Sequence, residues 1–239
     1  MIEFQPAPAS VPDGVRVYAV GDVHGCLDRL RALHALIAED LAARPVTTAT
    51  LVHLGDYIDR GPGSAGVLRL VADGPPPAGI TETANLMGNH EAMMLNALER
   101  GDEDAVGLWL MNGGYQTLVS FGLERVLEAA GWAERLEPEP LGFVRRLALT
   151  HRAGGYVFVH AGIRPGVPLP GQAREDLLWM REPFLSSSAD FGAVIVHGHT
   201  IRRTPELRPN RIGIDTGAVM GGNLTCAVLE ADRVGFLAV

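Results

Sequence analysis

Residues 15–25 read VRVYAVGDVHG. Val15–Val20 is a short apolar run that stops at a glycine, the pattern of a buried strand. Asp22 and His24 follow at once. They lie two apart, so an extended strand end points both side chains to one side. Beyond Gly25, the residues Leu27, Leu30, Leu33, Leu36, Ile37 and Leu41 recur at helical spacing and predict an amphipathic helix over 27–43. The unit is strand, polar loop, helix, and it repeats. Thr48–Leu54 (TATLVHL) runs into Gly55-Asp56-Tyr57-Ile58-Asp59-Arg60-Gly61 and a short helix, Ser64–Ala72. Ile80–Met87 runs into Gly88-Asn89-His90-Glu91 and a helix through Arg100. Three such units predict an α/β fold with parallel pairing and right-handed crossovers.

Outward from these units the pattern changes. Residues 101–150 show helical spacing broken by glycines, as in WLMNGGYQTLVSFGLERVLEAAGW and EPLGFVRRLALT, and read as a helical insertion. Strand patterns return at Gly155–Val159, Ala193–Val196, Arg211–Ile214, Thr225–Leu229 and Val234–Val239. Residues 1–14 carry Pro6, Pro8, Pro12 and Gly14 and read as a loose lead-in to a single domain over 15–239.

Composition removes several classes of function. The chain has 239 residues, 47% apolar and 20% charged, which excludes a disordered protein. No apolar run approaches ~18 residues, so no membrane span is expected. Met1–Ser10 has neither Lys nor Arg nor an apolar core, so it does not read as a secretory signal, and a cytoplasmic location is expected. Two cysteines, Cys26 and Cys226, do not make a disulfide scaffold. The net charge of −8 disfavours a dedicated nucleic-acid binder.

Two further polar clusters end predicted strands, His160-Ala161-Gly162 and His197-Gly198-His199-Thr200. Ligands of open α/β folds bind beyond the carboxyl ends of strands, so all five loops can converge. Their side chains are Asp, Asn and His without Cys, a donor set suited to Mn²⁺, Fe or Zn²⁺. The ligands outnumber what one tetrahedral ion needs. Two ions roughly 3.5–4 Å apart, sharing a carboxylate, account for the surplus. One such turn alone is an ordinary turn; several together point to a metal centre. His34, His53 and His151 lack this context and read as structural. Cys26 lacks the C-x5-R cradle of a nucleophilic cysteine. Trp109, Trp179, Met93 and Met94 read as core rather than as a nucleotide platform.

The ordered set GDVHG, GDYIDRG, GNHE, HAG and GHT resembles the calcineurin-like metallophosphoesterases, in their phosphoprotein phosphatase branch. The resemblance to bacteriophage lambda protein phosphatase and related bacterial enzymes extends to NHEAMMLNAL, WLMNGG, LLWMRE, HGHT and IDTGAVMGGNLT. The resemblance implies a four-layer α/β/β/α sandwich of two mixed sheets with two divalent ions at one end. It places Asp22, His24 and Asp56 on the first ion. Asp56 bridges to the second, with Asn89, His160 and His199. His197 is not carried over.

Arg60, four residues after Asp56, reaches the same site by its own length, and Arg181 matches a phosphate arginine of the family. With Asn89 they form the expected phosphate contacts. Arg164 matches no motif and reads as a surface charge. The resemblance makes His90 the general acid and Asp59 its partner, while Glu91 reads as loop support. The leading expectation is a serine/threonine protein phosphatase in which a metal-bound hydroxide attacks phosphorus directly. Its partner is a phosphoprotein or phosphopeptide. The alternative is a hydrolase resembling the symmetrical bis(5'-nucleosyl)-tetraphosphatases, and a third reading is a silent phosphoprotein-binding scaffold.

Overall fold

The computed structural model describes residues 2–125, 129–136 and 138–239. Its strands are β1 (Gln5–Pro6), β2 (Val15–Val20), β3 (Thr48–His53), β4 (Glu82–Asn85), β5 (Thr150–Ala153), β6 (Tyr156–Val159), β7 (Val194–His197), β8 (Glu206–Leu207), β9 (Arg211–Gly213), β10 (Thr225–Glu230) and β11 (Arg233–Ala238). One sheet has the order β1-β11-β10-β2-β3-β4, the other β5-β6-β7-β9-β8. Each is mixed. β2, β3 and β4 are parallel, as are β6, β7 and β9, and the flanking strands are antiparallel.

The two-residue period of a strand sorts β2 into two cores. Tyr18 and Val20 pack with Leu30, Leu33 and Ile37 of α1 (Leu27–Ala43) and with Val67 and Leu68 of α2 (Ser64–Ala72). Val17 and Ala19 face the other way, against Phe158, Val196 and Ile212 of the second sheet. The outer face of that sheet, Val157, Val159 and Ile195, is covered by Leu177 and Phe184. Helices, sheet, sheet and a thin outer cover make the four layers that the resemblance implies. Each fully buried Leu or Ile here contributes about 1.5–3 kcal/mol through removal from water.

The remaining helices are α3 (Asn89–Arg100), α4 (Glu103–Trp109), α5 (Tyr115–Ser120), α6 (Ala129–Arg135), α7 (Pro138–Arg145) and α8 (Arg174–Trp179). A π-helical turn, Leu110–Gly114, joins α4 to α5 and contains Gly113 at φ 102°. Helices α4 to α7 lie within the stretch read as an insertion, and Leu86 and Ala148 form a parallel bridge between the segments that follow β4 and precede β5.

The stretch expected to be a loose lead-in is bonded over residues 5–11. β1 pairs with β11, Ala7 and Val11 donate to Asp232 and Ala231, and Tyr156 donates to the Ala9 carbonyl. Proline is compatible with an edge strand, whose outward N–H groups need no partner. The short edge strands β5 and β8 also escaped the sequence pattern, because half-exposed strands of two to four residues carry little periodicity.

Candidate active site

All five polar loops meet at one end of the sandwich, from β2, β3 and β4 of one sheet and β6 and β7 of the other. Their turns demand unusual backbone. His24, Asp56, Asp59, Arg60 and His199 all sit at positive φ, between 43° and 71°. Such conformations cost of order 1–3 kcal/mol each and persist where surrounding structure enforces them. Glu91 enforces one of them. Its carboxylate accepts four backbone N–H groups, from Asp56, Tyr57, Ile58 and Gly88. Gly198 is required for a different reason: a Cβ there would lie 2.0 Å from Asp22 Oδ1.

Asp56 is the centre of the cluster. His24 Nε2 lies 3.4 Å from its Oδ2, His160 Nε2 3.5 Å from its Oδ1, and His90 Nε2 3.9 Å from its Oδ2. Two groups of potential ligands share it, His24–Asp56–His90 and Asp56–His160–His199, with the donor atoms of each within 4.8 Å of one another. Asn89 Oδ1 lies 2.9 Å from His160 Nε2 and 3.0 Å from His199 Nδ1. Asp22 accepts the His199 backbone N–H at 3.0 Å.

The hydrogen bonds test whether cations fit. His160 donates Nδ1–H to the Leu54 carbonyl at 2.9 Å, and His24 donates Nδ1–H to the Ile58 carbonyl at 2.8 Å. In a neutral imidazole the other nitrogen is then a lone pair. Both lone pairs face Asp56, whose ionised carboxylate has no proton to give. His199 Nε2 is buried without a partner among the described residues. Acceptors aimed at acceptors are what a cation between them resolves. At His24 the guanidinium of Arg60 takes that place, with Nη1 donating to Nε2 at 2.9 Å.

Charge leads to the same conclusion. Burial pulls His24 down to about 4 and His199 to about 3, and also lowers His160, so all three imidazoles favour the neutral form that can offer a lone pair. Burial would raise Asp56, but His160, His90 and His24 outweigh it and hold it below its usual range. Burial, then Asp215 and Asp56, push Asp22 well up. Burial and Asp56 push Glu91 up to about 8. Positive charge beside Asp56 would reverse those upward shifts. His24, Asp56, Asn89, His160 and His199 therefore fit divalent ions; Asp22, expected with His24 and Asp56, lies against the His199 backbone outside both groups, and His90 stands in the first of them.

The cleft beside this cluster has a volume of about 370 Å³ and is lined by Asp56, Arg60, Asn89, His90, Asn112, Trp179, Arg181, His199, Thr200 and Ile201. Both expected phosphate arginines are in it. Arg164 is not; it pairs with Asp176 at 2.6 Å. His90 Nδ1 lies 2.7 Å from Asp59 Oδ2, with both side chains buried. Burial works against a charged His90, but Asp56 and Asp59 outweigh it and raise its pKa.

Residues 15–219 match the family described as calcineurin-like phosphoesterase. The chain belongs to that family. Among curated proteins, serine/threonine-protein phosphatase 1 of Salmonella typhimurium is 33% identical over 225 residues, covering 90% of this chain and 92% of that protein. A symmetrical bis(5'-nucleosyl)-tetraphosphatase of Methylococcus capsulatus is also 33% identical, but over 153 residues, 62% of this chain and 44% of that protein. Among solved structures, a candidate diadenosine tetraphosphatase superposes with TM-score 0.67 and 25% identity, covering 96% of this chain and 98% of that one. A cold-active protein tyrosine phosphatase shares the fold, at TM-score 0.64 and 19% identity over 95% of this chain and 78% of that one.

This calcineurin-like phosphoesterase also places residues that the motif reading passed over. Asp215 follows β9 as Asp22 follows β2, and burial pushes it up to about 6. The signal was present, since Ile214-Asp215-Thr216-Gly217 is another apolar strand running into Asp and Gly. Trp179 was expected in the core; it is 43% exposed at the lip of the cleft. The short helix α8 buries Leu177 and Leu178, which turns its last residue outward. Met93, Met94 and Trp109 are buried as expected. No helix among the described residues is long and apolar enough to cross a membrane.

Proposed function

We propose that the chain is a serine/threonine protein phosphatase dependent on two divalent ions, with Mn²⁺ the first candidate and Fe or Zn²⁺ the others. Asp22, His24 and Asp56 would hold one ion, and Asp56, Asn89, His160 and His199 the second. Bound there, such ions supply Lewis acidity, lowering the pKa of water and neutralising phosphate charge. The protein's own groups do the rest. Arg60 and Arg181 present guanidinium forks to the phosphate oxygens, and the Asn89 amide lies beside them. The oxygen of a water molecule forms the new bond to phosphorus and releases a proton to solvent. As the bond to the seryl oxygen breaks, that oxygen keeps the electron pair and takes the proton held at His90 Nε2.

The observation that carries this reading is the buried His90–Asp59 pair at 2.7 Å. A seryl alkoxide is a poor leaving group and needs a positioned acid; a departing nucleotide phosphate needs one much less. The near full-length match to a serine/threonine phosphatase supports it. Trp179, exposed beside Ile201 in the cleft, is the observation that favours the dinucleotide alternative, because an aromatic face can stack on a base. Assays with Mn²⁺ against a phosphoserine peptide, para-nitrophenyl phosphate and diadenosine tetraphosphate, side by side, separate the two. Higher kcat/KM on the peptide is expected; the reverse order moves the chain to the nucleotide class.

A further inference from the structure

Asp59 is held by more than His90. Its carboxylate is fully buried and takes three other hydrogen bonds, all from the helical insertion. Thr117 of α5 donates its hydroxyl to Oδ1 at 2.6 Å, and the indole N–H of Trp109, the last residue of α4, bridges Oδ1 and Oδ2 at 3.1 Å each. The Asp59 backbone N–H in turn points at Thr117 Oγ1, 2.9 Å away. The next residue is tied to the same insertion, with Arg60 N–H donating to the Gly113 carbonyl at 3.2 Å. Gly114 has no side chain because a Cβ there would lie 2.6 Å from the Trp109 ring.

This arrangement is specific in direction. The indole, bridging both oxygens, fixes the plane of the carboxylate. The threonine hydroxyl occupies Oδ1 and leaves Oδ2 for His90 Nδ1. Burial raises the Asp59 pKa, and the donors His90, Thr117 and Trp109 work against that rise, each favouring the ionised form that aims an imidazole. We propose that Trp109 and Thr117 are positioning residues for proton delivery by His90, and that the helical insertion exists in part to place them. This inference rests on the reading of His90 as proton donor.

The test uses the metal-loaded full chain and measures bound metal, kcat on a phosphoserine peptide and kcat on para-nitrophenyl phosphate. The variants are Thr117→Val, Thr117→Ser and Trp109→Phe, each alone and combined with His90→Asn. Thr117→Val removes the hydroxyl, and Trp109→Phe removes the N–H while keeping a ring in the core, so the test does not hang on one variant folding. With metals retained, each is expected to slow the phosphoserine reaction by about tenfold, part of the ~10²–10⁴ a general acid contributes. The loss on para-nitrophenyl phosphate is expected to be smaller, because that leaving group departs without a proton. Thr117→Ser should restore the phosphoserine rate. In the His90→Asn background neither change should slow it further, since residues acting through one group are not additive. Equal losses on both substrates, or further losses without His90, would overturn the inference and leave both residues as packing. If His90→Asn itself shows no substrate selectivity, the donor reading fails and the inference falls with it. A selective His90→Asn beside unselective Thr117→Val and Trp109→Phe overturns the inference alone.

Discussion

Asp56 lies between imidazoles reached from both sheets, His24 at 3.4 Å and His160 at 3.5 Å. Replacing it with asparagine removes the one negative charge common to both groups of ligands. Asp56→Asn is expected to lower the content of both ions together and to reduce kcat; elemental analysis beside steady-state kinetics checks this, and two tightly held ions in the variant would contradict it. His90 has a different signature. Its neighbour Asn89 is the ligand proposed above, so His90→Asn is expected to keep the metals. It should slow a phosphoserine peptide by ~10²–10⁴-fold, or about 3–5.5 kcal/mol of transition-state stabilisation. Para-nitrophenyl phosphate should suffer less. Asp59→Asn should act in the same direction more mildly, because it removes the partner and not the donor.

Among elements, the turns that end β3 and β7 are the sensitive ones. Glu91→Gln keeps one acceptor oxygen but turns an NH₂ toward backbone N–H groups that now meet a carboxylate. The expected cost is about 1–3 kcal/mol, read by chemical denaturation. Gly198→Ala places a methyl on Asp22 Oδ1, 2.0 Å away before relaxation, and should weaken metal binding while circular dichroism stays native. What was legible in the sequence follows the same division. Strands β2, β3 and β6 declare themselves by apolar runs, and their polar ends stand out because Asp, Asn or His beside Gly has no place in a strand core. Thr117 and Trp109 did not declare themselves. They meet Asp59 across 58 and 50 positions of sequence, and one hydroxyl or indole in a helix carries no local mark of its partner. Trp179 misled because a tryptophan is usually counted as core, and only the shortness of α8 turns it outward. β1 was hidden by prolines, which exclude a strand interior but not an edge.

At the scale of the whole molecule, Arg16 is a charge buried away from the cleft lining, 1% exposed. It bonds Asp40 of α1 and Glu230 of β10, so one guanidinium on β2 joins helix layer and sheet. Burial alone would raise Glu230, but hydrogen bonds from Arg16, Arg233 and Arg44 outweigh it and leave its pKa lowered. A carboxylate lowered in the folded state contributes stability above its unfolded pKa, near 4.3, and loses it as pH falls through the folded value. Glu230→Gln should therefore lower Tm at pH 7, and the gap from the parent should close as the pH is taken below about 4. A gap independent of pH would assign the effect to packing. Leu86 and Ala148 bridge the segments that follow β4 and precede β5, and Asp56 comes from one sheet and His160 and His199 from the other. An ion held by all three would rivet the seam of the sandwich at its open end. Demetallation should then read out mechanically as well as chemically. Amide protons of β3 and β6 near the cleft should exchange faster with deuterium, while those at the far ends of the same strands hold, and the chain should pull apart along that seam at lower force.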